Sequence, residues 1–191
     1  MLKKNHPFYL FEKFFSERRL ELNFSRYLYQ PDSILDERSC FMLDSNFLSA
    51  EKISEQIDVL DSNEELAFHS LFYDVKAKRK YHIPMIDFSI SKWDSDLQFR
   101  LAHILPRSIF NELAIFESGR SFHGYSLNKI THDEWIDFMG RLLLINPPGV
   151  CYIDTRWIGH RLMAGYSALR WSCTTKQYLS EPRFLGFAPM M

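Results

Sequence analysis

An α+β fold, with a mixed, largely antiparallel sheet and helices packed on it, is predicted by three features of the sequence. Apolar residues recur at helical spacing near the N-terminus and between 131 and 144, they alternate in twos around 66–91 and 113–127, and turn residues separate these stretches. Pro7 suits the first turn of a helix, and Phe8, Phe11 and Phe15 follow at i, i+3 and i+7 on one stripe. Glu12, Lys13, Glu17, Arg18 and Arg19 fill the other faces. Residues 30–48 read as a mixed loop, and 49–60 as an amphipathic helix with Ile53, Ile57 and Leu60 in register. The expectation is one domain over 1–191, with a helical N-terminal lobe at 1–65 and a core at 66–180.

The core opens with extended stretches at 66–72 and 81–91, joined by a basic turn at 76–80. Pro84 inside the second stretch predicts an edge position or a bulge. A helix is expected at 92–105. Residues 113–116 and 122–127 read as strands closed by the turn Ser118-Gly119-Arg120-Ser121. Thr131-His132-Asp133-Glu134 is a capping box for a helix through Leu144, and Pro147-Pro148 stops it. A short strand at 150–154, a helical segment around Arg161 and an extended stretch at 168–172 complete the pattern. No internal repeat or low-complexity segment marks a linker.

Hydrophobic residues make up 46% of the 191, and 17 of the residues are Phe, so core-forming material is plentiful. Seven Gly and eight Pro exclude collagen-like and linker-like chains. The formal net charge of −1 gives no global field for nucleic acid, so any such contact needs a local patch. Three cysteines without a CxxC argue against a disulfide framework or a structural zinc, and favour a reducing compartment. Met1-Leu2-Lys3-Lys4 opens like a signal peptide, but Glu12 and Lys13 cut the apolar stretch. No apolar run approaches the roughly 18 residues of a membrane span. A cytoplasmic, soluble protein with no membrane partner is expected.

On an alternating strand at 83–91, Ile86, Phe88 and Ile90 share the core face, while Met85, Asp87, Ser89 and Ser91 share the other. A mid-strand carboxylate at 87 needs a salt-bridge partner or a metal. Asp154 closes the next extended segment just before a helix, where it suits either a cation site or a helix N-cap. Glu117-Ser118-Gly119-Arg120-Ser121-Phe122-His123 is a turn whose backbone N–H groups, Arg120 and His123 can cradle phosphate, or simply close a hairpin. Arg161 lies seven positions, two helical turns, after Asp154, and Arg170 follows on an extended stretch. Arginines beside a metal-binding carboxylate suit a nucleoside triphosphate, although Arg161 could equally pair with a surface acid.

In this order, a strand aspartate, a Ser-Gly-x-x-x-His hairpin and an aspartate followed by arginines, residues 66–180 resemble the archaeo-eukaryotic primase superfamily. That group includes primase small subunits, primase-polymerases and the polymerase domains of bacterial end-joining ligases. The resemblance implies an RRM-like catalytic core and a metal-dependent nucleotidyltransferase acting on a DNA or RNA template in replication or repair. It implies Asp87 and Asp154 as catalytic residues and ligands of Mg²⁺ or Mn²⁺. Ser118, Arg120, His123, Arg161 and Arg170 would receive the triphosphate. The family's motif-one pair of acids reads Asp87-Phe88-Ser89 here, so two anionic ligands replace three, and Asp94 or Asp96 could substitute only if the chain folds back. The alternative is a catalytically reduced primase-like module binding nucleotide or nucleic acid for a larger replication or defence complex with protein partners. Lys78, Arg79, Lys80 and Lys92 are candidate nucleic-acid contacts, or a solvated hairpin end.

Overall fold

Pro7 opens α1 (Pro7–Ser16), and the His6 side chain caps it by accepting the Phe8 N–H through Nδ1. The Phe11 ring of α1 lies 5.3 Å from Phe68 and 5.4 Å from Tyr125, which belong to different sheets. The computed structural model describes residues 1–28 and 33–191. One sheet holds β1 (Leu20–Leu28), β2 (Arg38–Asp44), β3 (Glu64–Asp74) and β4 (Arg79–His82) in the order β2-β1-β3-β4. The second holds β5 (Met85–Asp87), β6 (Leu113–Glu117), β7 (Phe122–Ser126) and β9 (Arg183–Phe187) in the order β5-β7-β6-β9. β8 (Ala168–Arg170) pairs with β3 in the first sheet. Every strand pairing is antiparallel.

Two sheets thus stand where a single one was expected, and Trp171 ties them together. Its ring is 4.6 Å from Phe68 of β3, and its indole N–H donates to the Tyr125 hydroxyl of β7 at 3.2 Å. Helices α2 (Ala50–Asp58), α3 (Ser95–Ile104), α4 (Arg107–Asn111), α5 (His132–Ile145) and α6 (Thr155–Ala164) complete the α+β fold. The Thr131–Glu134 capping box is formed as the sequence predicts. Among the described residues, no helix is long and apolar enough to cross a membrane.

Three expectations are corrected. The N-terminal third is not a helical lobe, since β1 and β2 are strands of the first sheet. Leu20, Leu22 and Phe24 of β1 are all fully buried, and β1 runs between β2 and β3. The described part of the 30–48 loop accordingly includes β2. The stretch 81–91 is not one strand either. It breaks at Ile83-Pro84, leaving β4 in the first sheet and β5 in the second. There the Ile83 N–H donates to the Ser70 carbonyl, and the Pro84 carbonyl accepts from Ser126. Finally, 150–154 contributes only an isolated bridge, between Ile153 and Phe88.

Candidate functional site

Asp87 ends β5 and Asp154 caps α6, and the two segments meet directly. The Asp154 N–H donates to the Asp87 carbonyl at 3.2 Å, beside the Phe88–Ile153 bridge. The register of β5 on β7 sets Asp87 opposite His123. Two helical turns of α6 bring Arg161 back toward its start, and Gly165 in the left-handed region then ends the helix. Arg170 arrives on β8, opposite Ala67 of β3.

These segments enclose a cavity of about 490 Å³, within the range of small-molecule sites. Asp87, Asp154, Ser118, Arg120, His123, Arg161 and Arg170 all line it, as does Ser89. Lys78, Arg79, Lys80 and Lys92 do not. Arg79 pairs with Asp74 of β3, whereas Arg170 pairs with Ala67. Seven residues of strand separate these positions, about 23 Å at the usual rise. Asp94 and Asp96 also stay outside the lining: Asp94 caps α3, and Asp96 accepts from Arg100 and from the Tyr152 hydroxyl.

Burial and then the neighbouring Asp154 push the Asp87 carboxyl up to about 7, against the pull of Arg170 and Arg161. His123 is held well below its ordinary value, first by burial and then by Arg170, so its imidazole is neutral. Its Nε2 stands 3.8 Å from Asp87 Oδ1, a contact rather than a hydrogen bond, and its buried Nδ1 has no partner among the described residues. Asp154 Oδ1 accepts the N–H groups of Arg156 and Trp157, and Oδ2 takes part in neither bond. The N-cap and cation-ligand readings of Asp154 are therefore compatible.

The two arginines differ. Arg170 Nη1 donates to the Ser172 carbonyl, while Nη2 donates to the carbonyls of Ser118 at 2.6 Å and Ser180 at 3.2 Å. Its guanidinium also lies 3.8 Å from the centre of the Tyr178 ring. Arg161, 1% exposed, donates through Nη2 to Asp36, while its Nε and Nη1 are buried without partners among the described residues. Ser118 closes its own turn, its N–H donating to the Ser121 carbonyl at 2.9 Å, and Gly119 supplies the positive φ of +101° that this turn needs.

Among the described residues, no cluster of three or more His, Cys, Asp or Glu is placed to hold a metal. Asp87, Asp154 and Ser89 line the cavity together, and two carboxylates with a hydroxyl are oxygen donors of the type Mg²⁺ or Mn²⁺ takes, completed by phosphate and water.

Sequence reasoning missed Tyr27, Asp36, Arg38, Arg156 and Tyr178, which also line the cavity. The alternation of Leu20, Leu22 and Phe24 was the available signal for β1, which delivers Tyr27 there.

The model of a family described as AEP-like, archaeo-eukaryotic primase 1D-like, matches residues 44–183, more than two-thirds of the chain. No curated protein and no solved structure matches.

Proposed function

The chain belongs to the archaeo-eukaryotic primase 1D-like family, and we propose that it is a primase-polymerase-like nucleotidyltransferase that uses nucleoside triphosphates on a DNA or RNA template. The observation that carries this reading is the meeting of Asp87 and Asp154 in one cavity with His123 and Arg161. Asp87 and Asp154 would hold Mg²⁺ or Mn²⁺, which supplies neutralisation of phosphate charge. The chain's own groups do the rest. Arg161 offers the N–H groups of Nε and Nη1, unpartnered among the described residues, to phosphate oxygens, which a planar guanidinium contacts in pairs. Neutral His123 can donate one ring N–H to a phosphate oxygen without adding charge. Arg120, exposed on the turn, adds a positive charge at the cavity edge. Arg170 holds the Ser118 turn and the 180 region in place through its carbonyl contacts. Together these groups bind and orient a triphosphate for in-line attack by a 3′-hydroxyl, where positioning and charge dominate catalysis.

A second reading is favoured by one feature, Ser89 in the cavity wall where a third acid would stand. It is a reduced module that binds nucleotide or nucleic acid for a protein assembly. One experiment separates the two. Incorporation of nucleotide on primed and unprimed templates with Mn²⁺ is measured for wild type and Asp87→Asn, beside the melting temperature with triphosphate and Mn²⁺. Incorporation lost in Asp87→Asn supports the transferase. A thermal shift without incorporation supports the reduced module, and neither signal removes the nucleotide from this cavity.

A further inference from the structure

The cavity lining includes residues that precede β2. Ser33, Leu35 and Asp36 line the cavity, and two arginines of α6 hold this segment there. Arg156 Nη2 donates to the Ser33 carbonyl at 2.8 Å, and Arg161 Nη2 donates to the Asp36 carboxylate. Arg38 Nε donates to both Asp36 oxygens at 2.9 Å. Little apolar burial secures the segment, since Ile34 is 83% exposed and Leu35 67%. Polar contacts therefore seat it, and segments of that kind detach at low cost.

Arg161 sees the other side of this arrangement. A guanidinium has five N–H donors in a planar fork. Here it is 1% exposed, one carboxylate contacts it, and both Nε and Nη1 lack partners among the described residues. An anion with more oxygens than a carboxylate would satisfy more of the fork. Such an anion cannot take the Nη2 position while Asp36 holds it. When Asp36 leaves, it keeps Arg38, so displacement creates no unpaired carboxylate.

We propose that Asp36 is a built-in competitor for ligand phosphate, seated on Arg161 until a polyphosphate displaces it, so that the 33–36 segment opens as the nucleotide binds. This rests on the nucleotide reading above and adds a residue that sets how readily the site fills. Apparent affinity falls by the fraction of molecules in which Arg161 is available. If Asp36 is seated nine-tenths of the time, freeing Arg161 tightens polyphosphate binding about tenfold.

The test is calorimetric titration of ATP with saturating Mn²⁺ into wild type, Asp36→Asn, Arg161→Met and the double variant. Asp36→Asn is expected to tighten ATP about tenfold, and the gain is expected to vanish when Arg161→Met is added. Hydrogen exchange of the wild-type protein supplies a measurement that needs no variant to fold. On adding ATP and Mn²⁺, amides at 33–38 should exchange faster while those at 155–161 become protected. ATP binding by wild type with no gain in Asp36→Asn, or with the 33–38 amides slowed, overturns the competitor and leaves the nucleotide reading intact. Absence of ATP binding in both wild type and Asp36→Asn overturns the nucleotide reading itself, and the competitor with it.

Discussion

On the β8 side of the cavity, Arg170 is 3% exposed, its two terminal nitrogens donate to three backbone carbonyls, and Nε alone is without a partner among the described residues. On the α6 side, Arg161 is 1% exposed and has one carboxylate on one nitrogen, with both Nε and Nη1 unpartnered among the described residues. The residue type and the burial are the same, but the surroundings are not. A buried guanidinium surrounded by carbonyls acts as a cross-link, because every N–H it makes replaces water at a peptide group. One with most of its donors unpartnered keeps more of its desolvation cost uncompensated, a condition that a phosphate relieves. Sequence spacing placed both arginines at the triphosphate. Partner geometry divides them into a support for the Ser118 turn and a guanidinium with donors to spare, the one proposed to receive phosphate.

The largest effect that separates them is on folding. Arg170→Ala strips the Ser118, Ser172 and Ser180 carbonyls of a charged donor, at roughly 1.5–3 kcal/mol for a hydrogen bond to a charged group. Partial re-hydration of the carbonyls lowers the sum, so the expected loss is about 3–5 kcal/mol in urea unfolding. Arg170→Lys should recover little of it, since an ammonium cannot span the same fork. A loss below about 1 kcal/mol would show that the carbonyls find other donors and would dissolve the contrast.

Gly119 tests whether the support extends through the turn. Its φ of +101° disfavours any side chain, and an added Cβ would come 3.0 Å from the Ser180 N. Gly119→Ala is expected to cost about 1–3 kcal/mol. Because Arg170 holds the carbonyls of both Ser118 and Ser180, the cost should fall short of additive with Arg170→Ala, yet add simply to Arg161→Met. A double-variant cycle in denaturant measures both couplings. Strict additivity with Arg170→Ala would mean that the turn is held by something else.

The wall made by Asp87, Ser118, His123 and Asp154 was legible because each residue lies within or beside a short local pattern, and the two-residue period fixes which face it takes. Arg161 followed from helical periodicity alone. The rest of the lining was not legible for a physical reason. β1 begins with a clear alternation at Leu20, Leu22 and Phe24, but its register against β3 shifts between Leu22 and Phe24. Beyond that irregularity the alternation no longer reports the buried face, so Tyr27 was absorbed into an expected helical lobe and the segment at 30–48 was read as loop. The switch of sheets at Pro84 was hidden similarly. Pro84 signalled an edge or a bulge but not a change of sheet: residues 82–86 are all buried, and the pairing partners, β3 for β4 and β7 for β5, tell the two strands apart. The departure at Ser89, by contrast, was legible from sequence, and the structure gives that residue a place in the cavity wall.

Ser89→Asp sharpens the contrast from the metal side. It adds a third carboxylate to the wall that already holds Asp87 and Asp154. Two like charges a few ångströms apart repel by about 1 kcal/mol in water and more when partly buried. The variant should therefore be less stable than wild type by about 1 kcal/mol in chelator, and should gain more from Mn²⁺ in the same melting experiment. Equal Mn²⁺ responses in Ser89→Asp, Asp87→Ala and wild type would remove the cation from this strand, while leaving the difference between the arginines untouched.

The smallest effect is on the receiver itself. Arg161→Met removes a guanidinium whose Nε and Nη1 have no partner among the described residues, and Asp36 keeps both of its bonds to Arg38. No orphan charge is left behind, so stability near pH 7 should change by less than about 1 kcal/mol, against the several expected for Arg170→Ala. Acid then reveals what Arg161 does electrostatically. Burial first, and then Arg38 and Arg161, hold His69 at about 3 rather than 6.5. The unfolded chain thus takes up this proton near pH 6.5 while the folded protein refuses it, and stability is lost as pH falls from 6.5 toward 3. Removing Arg161 lets His69 recover part of its basicity, so the folded state refuses the proton less strongly. The same removal lifts Asp87 further above its unfolded value of 3.8, which adds stability as pH falls through 7 toward 3.8. It also relaxes the depression of Asp36, whose stabilisation is lost only as pH falls below about 3.8. All three changes have one sign. Between pH 7 and pH 5, Arg161→Met should lose less stability than wild type, by a few tenths of a kcal/mol, with His69 and Asp87 responsible for the difference. Urea unfolding of both proteins at the two pH values measures it. An equal or steeper loss in Arg161→Met would mean that Asp36 fully neutralises Arg161 in the resting protein, leaving it no free charge to offer a phosphate.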